Sequence, residues 1–129
     1  MNALLDAHVV LWWASSGGSR LSQRALEILE AGETVALIGA GVLYEIAIKA
    51  RIGRLELPAA AEVYLPQLLR RHAFGVLPID EGHAIRAAAL PLIHRDPWDR
   101  LLVAQAQVEN LPIITADPAI AQYDVEVIW

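Results

Sequence analysis

The sequence contains no cysteine, which excludes disulfide bonds and thiolate metal sites and is compatible with a reducing cytosol. It also lacks any apolar run close to the roughly 20 residues that a membrane-spanning helix requires. No basic segment followed by an apolar one stands at its start, so we expect no secretory signal. These absences favour a cytoplasmic protein that does not associate with membranes.

Positive charge is scarce as well, because ten Lys and Arg residues stand against fifteen Asp and Glu, and the formal net charge is −5. This sign disfavours binding of nucleic acid by bulk electrostatic attraction. Two bound divalent cations would bring the formal charge to about −1. We therefore expect any contact with nucleic acid to be local and assisted by metal.

Hydrophobic residues are abundant, at 56% of the 129 positions, which suffices for the core of one domain spanning residues 1–129. Short apolar runs predict strands at residues 1–6, 34–38, 75–79, 111–117 and 125–129. Helical patterns lie between them, with Ser22, Asp80 and Asp96 as predicted N-caps. This alternation predicts a three-layer α/β/α fold with a mostly parallel central sheet, and Pro78 favours an edge or strand-end position for the third strand.

Acidic side chains fall at the ends of these predicted elements. Asp6 and Asp117 end apolar strands, Asp96 and Asp99 open a helix, and Glu45 is the one acid of an otherwise apolar helix. Parallel strands bring such positions to the carboxyl edge of the sheet, where carboxylates would repel one another unless a cation balanced them. Oxygen ligands of this kind suit Mg²⁺ or Mn²⁺, which activate water for phosphodiester hydrolysis.

From the residues alone, the same acids could instead serve only as helix caps and ion-pair partners. Asp96 and Asp117 each precede a proline, as helix N-caps do, and Asp99 has capping-box spacing from Asp96. Glu45 and Lys49 have the spacing of a helical ion pair. Asp6 resists this interpretation, because a carboxylate directly after a buried strand has no obvious helix to cap.

Six segments in order along the chain carry a family resemblance: Leu4-Leu5-Asp6-Ala7-His8 with Leu11-Trp12-Trp13, Tyr44-Glu45-Ile46-Ala47-Ile48-Lys49, Leu55-Glu56-Leu57-Pro58, His94-Arg95-Asp96-Pro97-Trp98-Asp99-Arg100, Thr115-Ala116-Asp117 and Val125-Glu126-Val127-Ile128-Trp129. Together they resemble PIN-domain proteins of the VapC toxin type. The resemblance implies a magnesium- or manganese-dependent endoribonuclease, the toxic component of a bacterial type II toxin–antitoxin pair.

The acidic quartet of that family corresponds to Asp6, Glu45, Asp99 and Asp117, as metal ligands and activators of water. Asp96 is similar to an extra acid that many relatives place beside the quartet, as a further ligand or a helix cap. The chain departs from the family at Ala7, where relatives commonly carry Thr or Ser, and at Tyr44, where a tryptophan is common. The missing hydroxyl at Ala7 could loosen metal binding.

Further residues are candidates for contacts with substrate and partner. Lys49, Arg95 and Arg100 could bind RNA phosphates, and His8 and His94 could contact phosphate or transfer protons. Two adjacent tryptophans, Trp12 and Trp13, cannot easily both face the core, so one is a candidate for a partner-binding groove. The resemblance implies that this partner is a VapB-like antitoxin and that the toxin forms a homodimer.

Two alternatives remain at this stage. The first is a catalytically weak PIN domain that binds RNA or protein, which the acidic net charge and Ala7 favour. The second is a Mg²⁺-dependent phosphatase or a DNA nuclease built on the same carboxylate chemistry. The sequence contains neither a phosphatase nucleophile motif nor an extended basic groove for duplex DNA, which disfavours the second alternative.

Overall fold

The structure is a computed structural model that describes residues 1–129. The strands are β1 (Asn2–Leu5), β2 (Val35–Gly39), β3 (Gly75–Leu77), β4 (Ile113–Ile114) and β5 (Val127–Ile128). The helices are α1 (Ala7–Ser16), α2 (Gln23–Glu30), α3 (Ala40–Arg51), α4 (Ala61–Arg71), α5 (Glu81–Ala89) and α6 (Pro97–Glu109), and a 3₁₀ turn covers Ile120–Gln122. None of these helices combines the length and apolarity needed to cross a membrane.

The five strands form one sheet in the order β3-β2-β1-β4-β5, and every pairing in it is parallel. The predicted three-layer α/β/α fold is confirmed, with β1 at the centre and β3 at the edge as Pro78 indicated. Because β1 has a neighbour on each side, Leu4 and Leu5 are completely buried, as central strands of parallel sheets are. The sheet therefore forms the middle of the core.

The last two strands are shorter than the sequence predicted. Regular pairing covers two residues in each of β4 and β5. Backbone hydrogen bonds continue past these bounds, since the amide of Ile113 donates to Glu126 at 2.9 Å and that of Thr115 to Ile128 at 3.2 Å. The apolar runs thus predicted the right strands, but regular strand pairing ends earlier, where the chain turns toward the carboxyl edge of the sheet.

The predicted helix N-caps are all present. Ser22 accepts a hydrogen bond from the amide of Ala25 at 3.1 Å, and Asp80 accepts one from the amide of His83 at 2.9 Å. The ring of His83 in turn accepts from the amide of Asp80, which completes a capping box. Each cap satisfies amides that the first turn of a helix leaves unpaired, so the helix starts are fixed locally.

A clamp of hydrogen bonds fixes the loop between α5 and α6. The guanidinium of Arg100 donates to three carbonyl oxygens at the end of α5, at 2.8, 3.0 and 2.8 Å, those of Ala87, Leu90 and Pro91. The hydroxyl of Tyr123 donates to Pro91 and accepts from the backbone amide of His94 at 2.8 Å. Both side chains therefore hold the segment that carries His94 to the edge of the sheet.

β4 lies inside the sheet, between β1 and β5, and its burial leads to a prediction about stability. Ile114 is completely buried in the sheet, whereas Ile85 on α5 is 71% exposed. Ile114→Ala should lower the free energy of unfolding by about 2–5 kcal/mol because it leaves a cavity in a close-packed core. Ile85→Ala, the matched control, should change it by less than about 0.5 kcal/mol. Urea denaturation of both variants measures the difference, and equal losses would contradict this description of the core.

Candidate active site

The five predicted acids line one pocket at the carboxyl edge of the sheet. Its volume is about 170 Å³, and its lining comprises Asp6, Ala7, His8, Glu45, Lys49, His94, Asp96, Asp99 and Asp117. The ends of β1 and β4 and the helices α3 and α6 contribute to it. The pocket is smaller than the roughly 300 Å³ of typical small-molecule sites, so it suits ions, water and a phosphate group better than a whole nucleotide.

Asp6 connects the first strand to the first helix. Its Oδ1 accepts a hydrogen bond from the amide of Val9 at 2.9 Å and caps α1. The prediction that Asp6 caps nothing was therefore wrong, and the reason is that β1 passes into α1 without a loop. The carboxyl group is 5% exposed, and burial raises its pKa.

Thr115 is a site residue to which the sequence analysis assigned no role. Its hydroxyl donates to Oδ2 of Asp6 and accepts from the amide of Asp117 at 3.0 Å. This buried hydroxyl links the ends of the neighbouring strands β1 and β4, because it fixes one carboxyl oxygen of Asp6 and the backbone amide of Asp117. Its place two residues before Asp117, in the segment Thr115-Ala116-Asp117, was the available signal.

Glu45 and Lys49 form the predicted ion pair of α3. Nζ of Lys49 lies 2.6 Å from Oε2 of Glu45, and this hydrogen bond raises the pKa of Lys49. The other carboxylate oxygen, Oε1 of Glu45, is buried and has no hydrogen-bond partner. A buried carboxylate oxygen without a partner is costly, so this oxygen is a candidate ligand for a positively charged group.

Asp99 and Asp117 approach each other on either side of His94. Nε2 of His94 lies 2.9 Å from Oδ2 of Asp99 and 3.1 Å from Oδ2 of Asp117. Burial, followed by the charges of Asp96 and Glu45, raises the pKa of Asp99 to about 7, and His94 acts in the opposite direction. Burial, together with the neighbouring acids, thus favours a proton on Asp99 near neutral pH.

Asp96 is the N-cap of α6. Its Oδ1 accepts from the amides of Trp98 and Asp99 at 2.8 and 3.4 Å. The capping-box interpretation of Asp96 and Asp99 is only half right, because the amide of Asp96 donates at 3.2 Å to Nδ1 of His94 and not to Asp99. The carboxylate of Asp99 is consequently free to face the pocket.

The three predicted RNA-contacting cations lie in different surroundings. Lys49 borders the pocket, and Arg95 is exposed beside it. The guanidinium of Arg100 is instead occupied by the carbonyl oxygens of the α5–α6 loop. The place of Arg100 next to Asp99 in the sequence suggested a contact with phosphate. In the structure its hydrogen bonds go to backbone carbonyl oxygens instead. Lys49 and Arg95 are therefore the better candidates for contacts with RNA.

The two adjacent tryptophans, Trp12 and Trp13, lie in different surroundings. A groove continues from the acidic pocket through a cavity of about 460 Å³, lined by His8, Leu11 and Leu55, into one of about 730 Å³ that Trp12 borders. Trp12 lies 6.0 Å from Trp129, ring centre to ring centre. Trp13 lies away from this groove, with its ring 6.3 Å from that of His72.

Fold and pocket together define a class of protein, namely a parallel α/β/α sandwich with an acidic pocket at the carboxyl edge of its sheet. The family model described as PIN domain matches residues 3–126. The chain therefore belongs to the PIN-domain family.

Solved structures have the same fold at low sequence identity, whereas no curated protein matches the chain. The structure of VapBC2 from Rickettsia felis, bound to a DNA fragment from its promoter, is similar with a TM-score of 0.72 and 14% identity over 99% of this chain and 98% of that one. A toxin–antitoxin complex from Klebsiella pneumoniae gives 0.66 and 21% over 98% and 96%. VapBC-5 from Mycobacterium tuberculosis gives 0.61 and 20% over 98% and 97%.

The raised pKa of Asp99 predicts how stability depends on pH in EDTA. The folded protein keeps a proton on Asp99 up to about pH 7, whereas the unfolded chain loses it near the ordinary value of 3.8. Between these values the unfolded chain binds fewer protons, so the free energy of unfolding should fall as pH rises from about 4 through about 7. Burial gives Asp6 a shift in the same direction.

Asp99→Asn should flatten this part of the profile, because the amide does not titrate. Urea denaturation at a series of pH values measures it. Asp124→Asn is the matched control, because Asp124 is exposed and lies outside the pocket. A decline that is equally steep in Asp99→Asn and in the wild type would contradict the assignment to Asp99.

Proposed function

We propose that this protein is a metal-dependent endoribonuclease and the toxin of a type II toxin–antitoxin pair. The observation that carries the proposal is the buried acidic pocket with one carboxylate oxygen of Glu45 left without a partner. Membership of the PIN-domain family supports it. So do the similar structures, which are those of VapBC systems and toxin–antitoxin complexes.

The donor set of the pocket fits a divalent cation of the Mg²⁺ or Mn²⁺ type. Four carboxyl groups would hold it, those of Asp6, Glu45, Asp99 and Asp117, and hard oxygen donors are the ligands that these ions prefer. The unpartnered Oε1 of Glu45 and the proton retained by Asp99 are the marks of a site short of positive charge. When bound, the metal would supply an activated water and stabilise charge that develops on the phosphate.

The protein's own groups would orient the reactants. Thr115 and the amide of Val9 fix both oxygens of Asp6, so this ligand is held before any ion arrives. Lys49 anchors Glu45 at the wall of the pocket and can contact a phosphate oxygen. Arg95 is exposed and stands in the sequence between the pocket residues His94 and Asp96, so it would contact a further phosphate of the strand.

Ala7 is the observation in favour of the alternative, a catalytically weak domain that binds RNA or protein. Ala7 lines the pocket and offers no hydroxyl to Asp6. However, Asp6 already accepts the hydroxyl of Thr115 and the amide of Val9. Because these two donors orient the carboxyl group, we favour the nuclease.

The groove beside the pocket supports an antitoxin partner. It shares His8, Glu45 and Lys49 with the acidic pocket, and it continues past apolar side chains to Trp12. A peptide lying there would cover the acids and exclude RNA. We also propose that the toxin is a homodimer, for which the exposed apolar side chains of Leu92 and Ile93 offer an interface.

Cleavage of a cellular RNA pool that includes tRNA and rRNA tests the nuclease. Purified protein freed of antitoxin should cut discrete sites with Mg²⁺ or Mn²⁺ and none with EDTA. Asp6→Asn and Asp99→Asn should each lower the rate by at least about 100-fold, because each removes a ligand charge while keeping the shape of the side chain. Arg51→Gln, at an exposed position outside the pocket, is the control and should retain activity.

Two results would reject the nuclease. One is a wild type that is inactive with both metals, and the other is cleavage by the Asp variants at the wild-type rate. In either case the binding-module alternative would replace it, and retention of RNA in a filter-binding assay without cleavage would support that alternative. Variants and wild type should melt at similar temperatures, so that a loss of activity reports on the site and not on the fold.

Alanine variants of Trp12 and Trp13 form a matched pair that tests the antitoxin proposal. Trp12→Ala should weaken binding of the protein encoded by the adjacent gene by about tenfold or more, because truncation of an aromatic anchor at an interface costs that much. Trp13→Ala, which alters a neighbouring tryptophan away from the groove, should leave the affinity nearly unchanged. Isothermal titration calorimetry measures both affinities. Equal weakening by the two variants would argue against this groove.

A further inference from the structure

The imidazole of His94 lies between two of the candidate metal ligands. Its Nε2 is 2.9 Å from Oδ2 of Asp99 and 3.1 Å from Oδ2 of Asp117. A cation that bound both oxygens would require the space that this nitrogen and its hydrogen now fill. The ring thus stands where a positively charged ligand of the two carboxylates would be expected.

The position of the ring is fixed from two sides. The backbone amide of His94 donates to the hydroxyl of Tyr123 at 2.8 Å, which anchors the residue in the clamped α5–α6 loop. The amide of Asp96 donates to Nδ1 of the ring at 3.2 Å. Since an amide N–H can only donate, Nδ1 carries no hydrogen in this arrangement, and Nε2 carries the one that faces the carboxylates.

This tautomer decides how the ring can respond to a cation. A histidine nitrogen binds a metal only through a free lone pair, and the hydrogen on Nε2 blocks it. Moving that hydrogen to Nδ1 would point it at the amide hydrogen of Asp96, so two donors would face each other. The ring as it is held can therefore satisfy the two carboxylates, but it cannot join them as a ligand.

We infer that His94 is a plug, whose imidazole must swing away from Asp99 and Asp117 before a divalent cation can bind both. This inference rests on the proposed metal site. In the metal-free protein the plug offsets the repulsion between the two acids through its hydrogen bond to Asp117 and its close contact with Asp99. Removal of the plug should accordingly raise the affinity for metal, because the ion no longer has to displace the ring.

The first test measures metal affinity alone, without RNA. Free Mn²⁺ is followed by electron paramagnetic resonance during titration of wild type, His94→Ala and His72→Ala at pH 8. His94→Ala should bind Mn²⁺ about tenfold more tightly than the wild type, as expected when a competitor held by one hydrogen bond and one further close contact is lost. His72→Ala should bind like the wild type, because His72 lies outside the acidic pocket, with its ring near that of Trp13.

The second test uses the unaltered protein and does not depend on the folding of a variant. Long-range ¹H–¹⁵N spectra of uniformly ¹⁵N-labelled wild type report which ring nitrogen of each histidine carries hydrogen. On titration with Mg²⁺ the His94 signals should shift while Nε2 keeps its hydrogen. A change to the tautomer with hydrogen on Nδ1 would show that His94 binds the ion.

The outcomes separate this inference from the function proposed above. Weaker Mn²⁺ binding by His94→Ala, or the Nδ1–H tautomer in the Mg²⁺-loaded protein, would overturn the plug and make His94 a ligand, and the nuclease proposal would stand. Equal affinity in all three proteins would also overturn it. Absence of Mn²⁺ binding in every variant would overturn both the plug and the proposed metal site.

Discussion

The constraint on which this structure depends is the crowding of carboxyl groups at a largely buried edge of the sheet. Acids brought together out of water repel one another and lose hydration, so each needs a compensating group. Four kinds of compensation are present: a backbone amide and a hydroxyl at Asp6, an ammonium at Glu45, an imidazole between Asp99 and Asp117, and a retained proton on Asp99. Nearly every polar contact around the pocket follows from this one requirement.

The scaffold makes the crowding possible by short connections. β1 runs into α1 at Asp6 and β2 runs into α3 at Gly39, so the candidate site acids Asp6 and Glu45 follow buried strands without an intervening loop. Gly39 itself permits close approach, because a Cβ there would clash with Oε1 of Gln105 on α6. The connection between α5 and α6 is longer than these two. Hydrogen bonds of Arg100 and Tyr123 hold this loop in place, as a short turn would otherwise do.

Periodicity and capping residues were sufficient to predict the class of fold, the order of the elements and the arrival of five acids in one pocket. These features depend on local patterns and on the general geometry of parallel sheets. The contact from Thr115 to Asp6 spans 109 positions and depends on β4 lying beside β1, an order that no local pattern encodes. Arg100 shows the same limit, because a guanidinium next to acids suggests phosphate until the carbonyl oxygens that surround it are known.

The groups that offset the charges of the pocket acids differ in whether a cation could displace them. The amide and hydroxyl on Asp6 belong to the fold, so this carboxyl group keeps its orientation whether or not an ion is bound. In the inference drawn above, the proton on Asp99 and the ring of His94 are the removable groups, because both lie on the acids that a cation would use. Metal affinity at such a site would be the difference between the attraction of the ion and the cost of removing these groups. A pocket that is fixed at Asp6 and exchangeable at Asp99 and Asp117 would let the protein fold without metal and still bind it.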